Sequence, residues 1–137
     1  MGKRREGREA ALQFLFSHDL NASVSEQEKS AFWELRRTSP SVRAFAQELI
    51  DGVSSATAEI DAQIAGALEN FSIERLSGVE RNILRIAVHE MTGAADIPPV
   101  VSINEAVEIA KRFGGTDSGR FVNGVLDRIH RELSSRE

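Results

Sequence analysis

The sequence predicts an all-α domain of six or seven helices, and three observations lead to that class. Apolar residues recur every three or four positions along most of the chain, the period of an amphipathic helix, and no segment sustains the alternation of a half-buried strand. Serine and glutamate stand three residues apart where several helices would begin. Glycine or proline separates the periodic segments. We therefore expect one domain over residues 1–137, with a basic arm at residues 1–8.

The first half of the chain predicts three helices, near residues 4–20, 25–37 and 41–69. The second begins with a capping box, in which the side chains of Ser25 and Glu28 each bond the other residue's backbone amide. The third begins after Ser39, because Pro40 suits a first helical turn. Gly52 lies within the third segment and predicts a bend or a close helix crossing, since glycine is a poor helix former.

The second half predicts three more helices, near residues 79–93, 103–114 and 118–133. Ser77 with Glu80, and Ser102 with Glu105, have the spacing of further capping boxes. A helix end is expected at the Gly114–Gly115 pair. Opposite the apolar face of the helix near 79–93 lies a stripe of residues four apart, Arg81, Arg85 and His89, which we expect to be exposed.

Two phenylalanines near the N-terminus point in different directions on a helical wheel. Phe16 shares a face with Leu12 and Leu15, which favours a place in the core, and the alternative is a contact with RNA. Phe14 lies on the opposite side. It either contacts a partner or RNA, or is covered by the segment that contains Phe32 and Trp33.

The composition argues against an enzyme, a metal protein and a membrane protein. There is no cysteine, and the three histidines fall on three different predicted helices without metal-ligand spacing. The segment GGTDSG has no lysine, so it is not a phosphate loop. No run approaches the ~20 apolar residues of a membrane span, and no secretory core is visible. We expect no catalytic residue, no metal, no cofactor and a cytoplasmic location, since a chain without cysteine fits a reducing compartment.

Charge is distributed unevenly along the chain. The formal net charge is −4, yet residues 1–8 carry +3, from Lys3, Arg4, Arg5 and Arg8 against Glu6. A basic arm on an acidic body is typical of a protein that contacts a polyanion with one end. The other interpretation is a solvated terminus. Phosphate contacts by these cations would be independent of base sequence and weakened by salt.

A second candidate region lies just before the last predicted helix. Thr116 or Asp117 can cap that helix, whose N-terminus favours anions. Asp117 is therefore either a plain cap or a group that bonds a base edge or restrains the affinity for phosphate. The pair Asn123–Gly124 is unfavourable inside a helix. It lets another backbone approach, either a ligand's or one from the other half of the chain.

Two segments, SINEAVEIAKRFG and FVNGVLD, resemble the C-terminal signature of the NusB family of bacterial transcription antitermination factors. The resemblance extends more weakly to NILRIAVHEM and to the basic N-terminus. It implies an all-α fold of two packed three-helix units. It also implies binding of a boxA-type single-stranded RNA together with NusE, a small-subunit ribosomal protein. The complex would include NusA, NusG and RNA polymerase and promote readthrough of ribosomal RNA operons.

The resemblance also assigns residues. The family's arginine-rich N-terminus, its aromatic residue and its loop acid followed by an aromatic match positions in this chain. Together with the charge pattern, they give the expected RNA-binding residues as Lys3, Arg4, Arg5, Arg8, Phe16, Asp117, Ser118 and Phe121. The family's NusE-binding surface points to Glu80, Arg81 and Arg85. The alternative is a protein–protein scaffold or homodimer that does not contact RNA.

Some ribosomal RNA cytosine methyltransferases carry the same domain at their N-terminus. Because the sequence ends at Glu137 without a catalytic domain, we expect the free-standing factor.

Overall fold

The computed structural model describes residues 2–18, 25–69, 72–93 and 96–135, and every regular element within these ranges is helical. The elements are α1 Lys3–Ser17, α2 Glu26–Arg36, α3 Pro40–Ser55, α4 Thr57–Ala67, a 3-10 turn Ile73–Arg75, α5 Gly78–Gly93 and α6 Pro99–Ser135. The predicted all-α class is confirmed. In the described parts of the chain, no helix is long and apolar enough to cross a membrane.

The helices pack as two groups that share one core. α1 packs along α3, and α5 packs along α6 with α4 beside both. α5 also contacts α1 and α3, so it joins the two groups. Ile50, Leu84 and Leu126 lie at the centre and are almost completely buried. α1 and the first part of α6 are joined across the surface considered below by ion pairs between their side chains.

Two of the predicted helix starts are confirmed, and a third is half formed. Ser25 and Glu28 make both bonds of a capping box, and those bonds hold the pKa of the Glu28 carboxyl below its ordinary value. Ser39 caps α3, with proline in the first turn. The Ser77 hydroxyl accepts a bond from the Glu80 amide at 3.1 Å, but the Glu80 carboxylate bonds Ser118 instead of Ser77.

The predicted capping box at Ser102 and Glu105 is wrong. α6 begins at Pro99, whose missing amide proton needs no partner in a first turn, so both residues lie inside the helix. The Ser102 side chain is buried and donates to Glu90 at 2.9 Å. Glu105 pairs with an arginine of α1. A serine–glutamate spacing alone cannot distinguish a cap from two tertiary contacts.

Two glycines account for a close helix crossing and for a kink. The long third segment breaks at Ala56, not at Gly52. Gly52 instead serves the close crossing of α3 and α5, because a Cβ placed there would lie 2.0 Å from Cε1 of His89. α6 is kinked at Gly115, whose φ of 87° and ψ of −178° are outside the helical region. The predicted helix end at this glycine pair is therefore confirmed as a kink.

Candidate nucleic-acid interface

The basic arm is the first two turns of α1, laid against α6. Arg5 donates from Nε and Nη2 to the two carboxylate oxygens of Glu105, at 2.7 and 2.8 Å. This paired hydrogen bond raises the pKa of Arg5 and lowers that of Glu105. Arg4 is more open, with a side chain 55% exposed and 3.6 Å from Asp96. Arg4 therefore remains available to a phosphate, whereas Arg5 must share its charge with Glu105.

The Glu105 pairing gives a pH-dependent stability that Glu105→Gln should remove. Hydrogen bonds from Arg5 depress the Glu105 pKa in the folded protein, so the pair stabilises the fold above the ordinary value of 4.5 and is lost as pH falls through the depressed value. We expect wild type to exceed the variant in free energy of unfolding at pH 7, and the difference to shrink below about pH 4.5. Urea unfolding at pH 7, 5 and 3 measures it. A difference that stays constant over that range would contradict the assignment.

Arg8 is not part of an accessible arm, and the prediction that it contacts RNA is corrected. Its side chain is 4% exposed and donates from Nε and Nη2 to Glu90, which is 1% exposed, at 2.8 and 2.7 Å. Ser102 donates a third hydrogen bond to the same carboxylate. The physical reason is helical geometry: α1 carries Arg8 on the face turned towards α5, where a buried carboxylate neutralises it.

The two phenylalanines near the end of α1 differ in their exposure, which decides between the alternatives for each. Phe14 is 3% exposed, and its ring meets the Phe32 ring edge to face with centroids 5.1 Å apart, so the covered alternative is confirmed. Phe16 is 52% exposed, so the core alternative does not hold and the RNA contact stays a prediction. It lies over Gly78 at the start of α5, where a Cβ would come within 2.8 Å of the ring. One side of the Phe16 ring is thus supported while half of its surface faces solvent.

The glycine-rich turn in α6, residues 114–119, contains three glycines at positions where a side chain would be strained or would clash. Gly115 supplies the positive φ of the kink. A Cβ on Gly114 would lie 2.7 Å from the Ser118 hydroxyl, and one on Gly119 would lie 2.6 Å from Cγ of Lys111. The three glycines therefore let the two parts of α6 meet closely at the kink. Ser118 packs against Gly114, and the Lys111 side chain packs against Gly119.

The residues that follow the kink differ in their exposure. The Asp117 side chain is fully exposed and lies 3.8 Å from Arg120, and no capping bond from it is formed within the described residues. Ser118 is 6% exposed and donates to Glu80 at 2.8 Å, so the direct RNA contact predicted for its hydroxyl is corrected to an internal bond. Phe121 is partly buried and lines a groove beside Glu80. Asp117 and Phe121 remain predicted RNA contacts.

The groove continues past Phe121 to Gly124. Leu68, Arg120 and Gly124 line a space of about 350 Å³ between α4 and the last part of α6. A Cβ on Gly124 would meet nothing within 4 Å. Packing between the two halves of the chain therefore does not require this glycine, and the alternative that another molecule approaches it is retained.

The expected exposed stripe on α5 is instead covered. Arg81 donates to the carbonyls of Ile73 and Leu76 at 3.4 Å. Arg85 donates to both carboxylate oxygens of Asp61 on α4, at 2.8 and 2.9 Å. The prediction that Arg81 and Arg85 face solvent is wrong because α4 and the 3-10 turn pack over this side of α5. Of the predicted partner-binding residues, Glu80 lies nearest the glycine-rich turn.

A row of contacts along α1 and α6 connects the arm with the turn. Arg5 pairs with Glu105, and one helical repeat further Glu9 accepts from Arg112 at 2.8 and 2.9 Å. About twelve residues separate Arg4 from Phe16 on α1, which is about 18 Å at ~1.5 Å per residue. We call the exposed surface along this row, from Arg4 to Phe16 on α1 and from Glu105 to Arg112 on α6, the α1–α6 strip. Its length matches about five stacked nucleotides at ~3.4 Å each, so one short RNA could contact both regions.

Sequence reasoning missed the cations in the middle of this strip. The Arg112 side chain is 56% exposed and the Lys111 side chain 50%. Neither residue is among the RNA-binding residues expected from the sequence. The sequence offers only a partial signal: Arg5 and Glu9 lie about one turn apart on one helix, and Glu105 and Arg112, of opposite charge in the same order, lie about two turns apart on the other.

Comparison with known proteins agrees with this geometry. The NusB family model matches residues 5–131. The transcription antitermination protein NusB of Sorangium cellulosum is 43% identical over 133 residues, covering 97% of this chain and 95% of that protein. The structure of T. maritima NusB superposes with a TM-score of 0.82 at 39% identity, covering 94% and 91% of the two chains.

A further similar structure is a complex of the antitermination factors NusB and NusE with double-stranded RNA. The matched chain gives a TM-score of 0.84 at 29% identity and covers 95% of this chain and 97% of that one. The family match, the near full-length relatives and the fold agree. The chain belongs to the NusB family.

Proposed function

We propose that this protein is an RNA-binding transcription antitermination factor that binds boxA-type nascent RNA together with NusE. In this proposal it promotes readthrough of ribosomal RNA operons, in a complex that includes NusA, NusG and RNA polymerase. The observation that carries the proposal is the α1–α6 strip, which places exposed cations and an exposed aromatic ring on one surface of the domain. The known complex of a related NusB with NusE and double-stranded RNA supports NusE and RNA as classes of partner.

Two kinds of contact contribute to RNA binding on the α1–α6 strip, one to phosphates and one to bases. Arg4 and Arg112 attract phosphates without regard to base sequence, and this attraction weakens as salt rises. Phe16 offers a half-exposed aromatic ring, in contact with the start of α5 at Gly78, on which an unpaired base can stack. The fully exposed Asp117 carboxylate stands beside the path. It either bonds a base edge or repels phosphate, and both roles favour particular RNA positions over others.

A protein scaffold or homodimer without RNA contact is the second candidate. The observation in its favour is that Arg5 and Arg8 are already paired with Glu105 and Glu90, so fewer cations are available than the sequence indicates. A gel-shift assay with the single-stranded RNA, with and without NusE, distinguishes the two. Retention of RNA supports the first, and its absence in both lanes supports the scaffold. Sedimentation would report self-association.

Removing the two outer cations of the arm tests the RNA role. We expect Arg4→Ala combined with Arg5→Ala to weaken binding of a boxA-type single-stranded RNA. The slope of log K against log salt should also flatten by up to about 1.4, since each lost phosphate contact contributes ~0.7 for a single strand. Fluorescence anisotropy across a salt series measures both quantities.

Arg131→Ala is the control for that experiment. It removes an exposed cation near the C-terminal end of α6 that pairs with Asp127, and it should leave the slope unchanged. The same RNA annealed to its complement shows whether the strip prefers single or double strands. An arm variant with the wild-type salt slope would rule out phosphate contacts by the arm.

A further inference from the structure

One hydrogen bond joins the surface expected to bind a partner protein to the turn expected to bind RNA. The Ser118 hydroxyl donates to Oε2 of Glu80 at 2.8 Å, from α6 to the start of α5. Ser118 is 6% exposed, so water competes weakly for this bond. Its acceptor is a carboxylate, which makes the bond stronger than one between neutral groups.

Both ends of this bond are held by their own helices. The Glu80 amide donates to the Ser77 hydroxyl at 3.1 Å, which fixes the first turn of α5. On the other side, the missing side chain at Gly114 leaves the space that Ser118 occupies. The kink at Gly115 supplies the direction of the turn, and the φ/ψ angles of this residue are not helical. The Glu80–Ser118 bond is therefore one tie between the turn and α5, placed three residues after the kink.

We propose that Glu80 is a positioning residue for RNA binding. Its carboxylate holds Ser118 and thereby fixes the neighbouring Asp117 and Phe121 in the geometry that meets RNA. A partner protein that engages Glu80 then acts on the RNA surface through the same carboxylate, because that carboxylate is bonded to Ser118 and Glu80 also lines the groove next to Phe121. This inference rests on the proposed RNA-binding function and adds a route by which the partner regulates it.

The test measures RNA affinity in the absence of any partner protein. Glu80→Ala and Ser118→Ala should each weaken RNA binding about fivefold, the equivalent of one hydrogen bond. Glu80→Gln should bind RNA almost as wild type does, because an amide oxygen still accepts from Ser118. The combined Glu80→Ala and Ser118→Ala variant should be no weaker than either single variant, since both remove the same bond. Additive losses, or no loss, would overturn the proposal.

Amide hydrogen exchange gives a readout that does not depend on RNA. Exchange at residues 115–119 should accelerate in Glu80→Ala and Ser118→Ala and remain slow in Glu80→Gln. If wild type binds no RNA, the proposed function fails, and the exchange rates still decide whether Glu80 holds the turn. Unchanged exchange in all three variants would overturn the positioning role.

Discussion

Arg8→Ala is expected to lower the free energy of unfolding by about 3–5 kcal/mol, a large part of the ~5–15 kcal/mol typical of a domain. The Glu90 carboxylate is 1% exposed in the wild-type structure, and the variant removes the arginine that neutralises it while keeping the hydrogen bond from Ser102. An uncompensated buried charge is far more costly than the loss of a surface ion pair. Urea unfolding followed by circular dichroism measures the change.

Two further variants make that result interpretable. Arg4→Ala removes a neighbouring arginine from the same helix, but its side chain is 55% exposed, so its stability should stay within about 0.5 kcal/mol of wild type. Arg8→Met with Glu90→Met removes both buried charges and should recover most of the loss. A loss below about 1 kcal/mol in Arg8→Ala, or a double variant no more stable than the single one, would show that an unpaired Glu90 charge is not the cause of the instability.

The contrast between Arg4 and Arg8 also shows what a sequence can disclose about a basic arm. Residues 3–8 are a charge cluster in the sequence, and only the packing of α1 on α5 separates an exposed cation from one paired with Glu90. Composition reports the sum of charges and not their partners. The carboxylates that neutralise Arg5 and Arg8 lie far away in sequence, at separations of 100 and 82 residues respectively.

Local signals were more informative about the fold. The Ser25–Glu28 capping box and the Ser39–Pro40 start depend on neighbours in the chain, and both are present. The Ser102–Glu105 pair has the same local pattern, yet Pro99 starts the helix earlier and tertiary partners take both side chains. Elements could be predicted because their causes are local. The α1–α6 strip could be predicted only in part, since Arg112 gains its position through Glu9.

Phe16→Ala is expected to weaken RNA binding about 5- to 150-fold, because stacking of one base on an aromatic ring contributes ~1–3 kcal/mol. The ring is 52% exposed, so the variant should lose about 1 kcal/mol of stability or less. Phe14→Ala is the matched comparison. That ring is 3% exposed and packs on Phe32, so its loss should cost about 3–5 kcal/mol of stability.

Phe16→Leu separates stacking from support. Leucine can still cover Gly78, which lies beneath the ring, but it offers no aromatic face. If Phe16 stacks a base, the leucine variant should bind RNA as weakly as the alanine variant while unfolding at the wild-type urea concentration. If Phe16 only covers the start of α5, leucine should bind RNA as wild type does. Anisotropy and urea unfolding on the same samples distinguish these outcomes. Loss of base stacking lowers the RNA affinity of the leucine variant without changing its stability, whereas a covering role leaves its RNA affinity at the wild-type value.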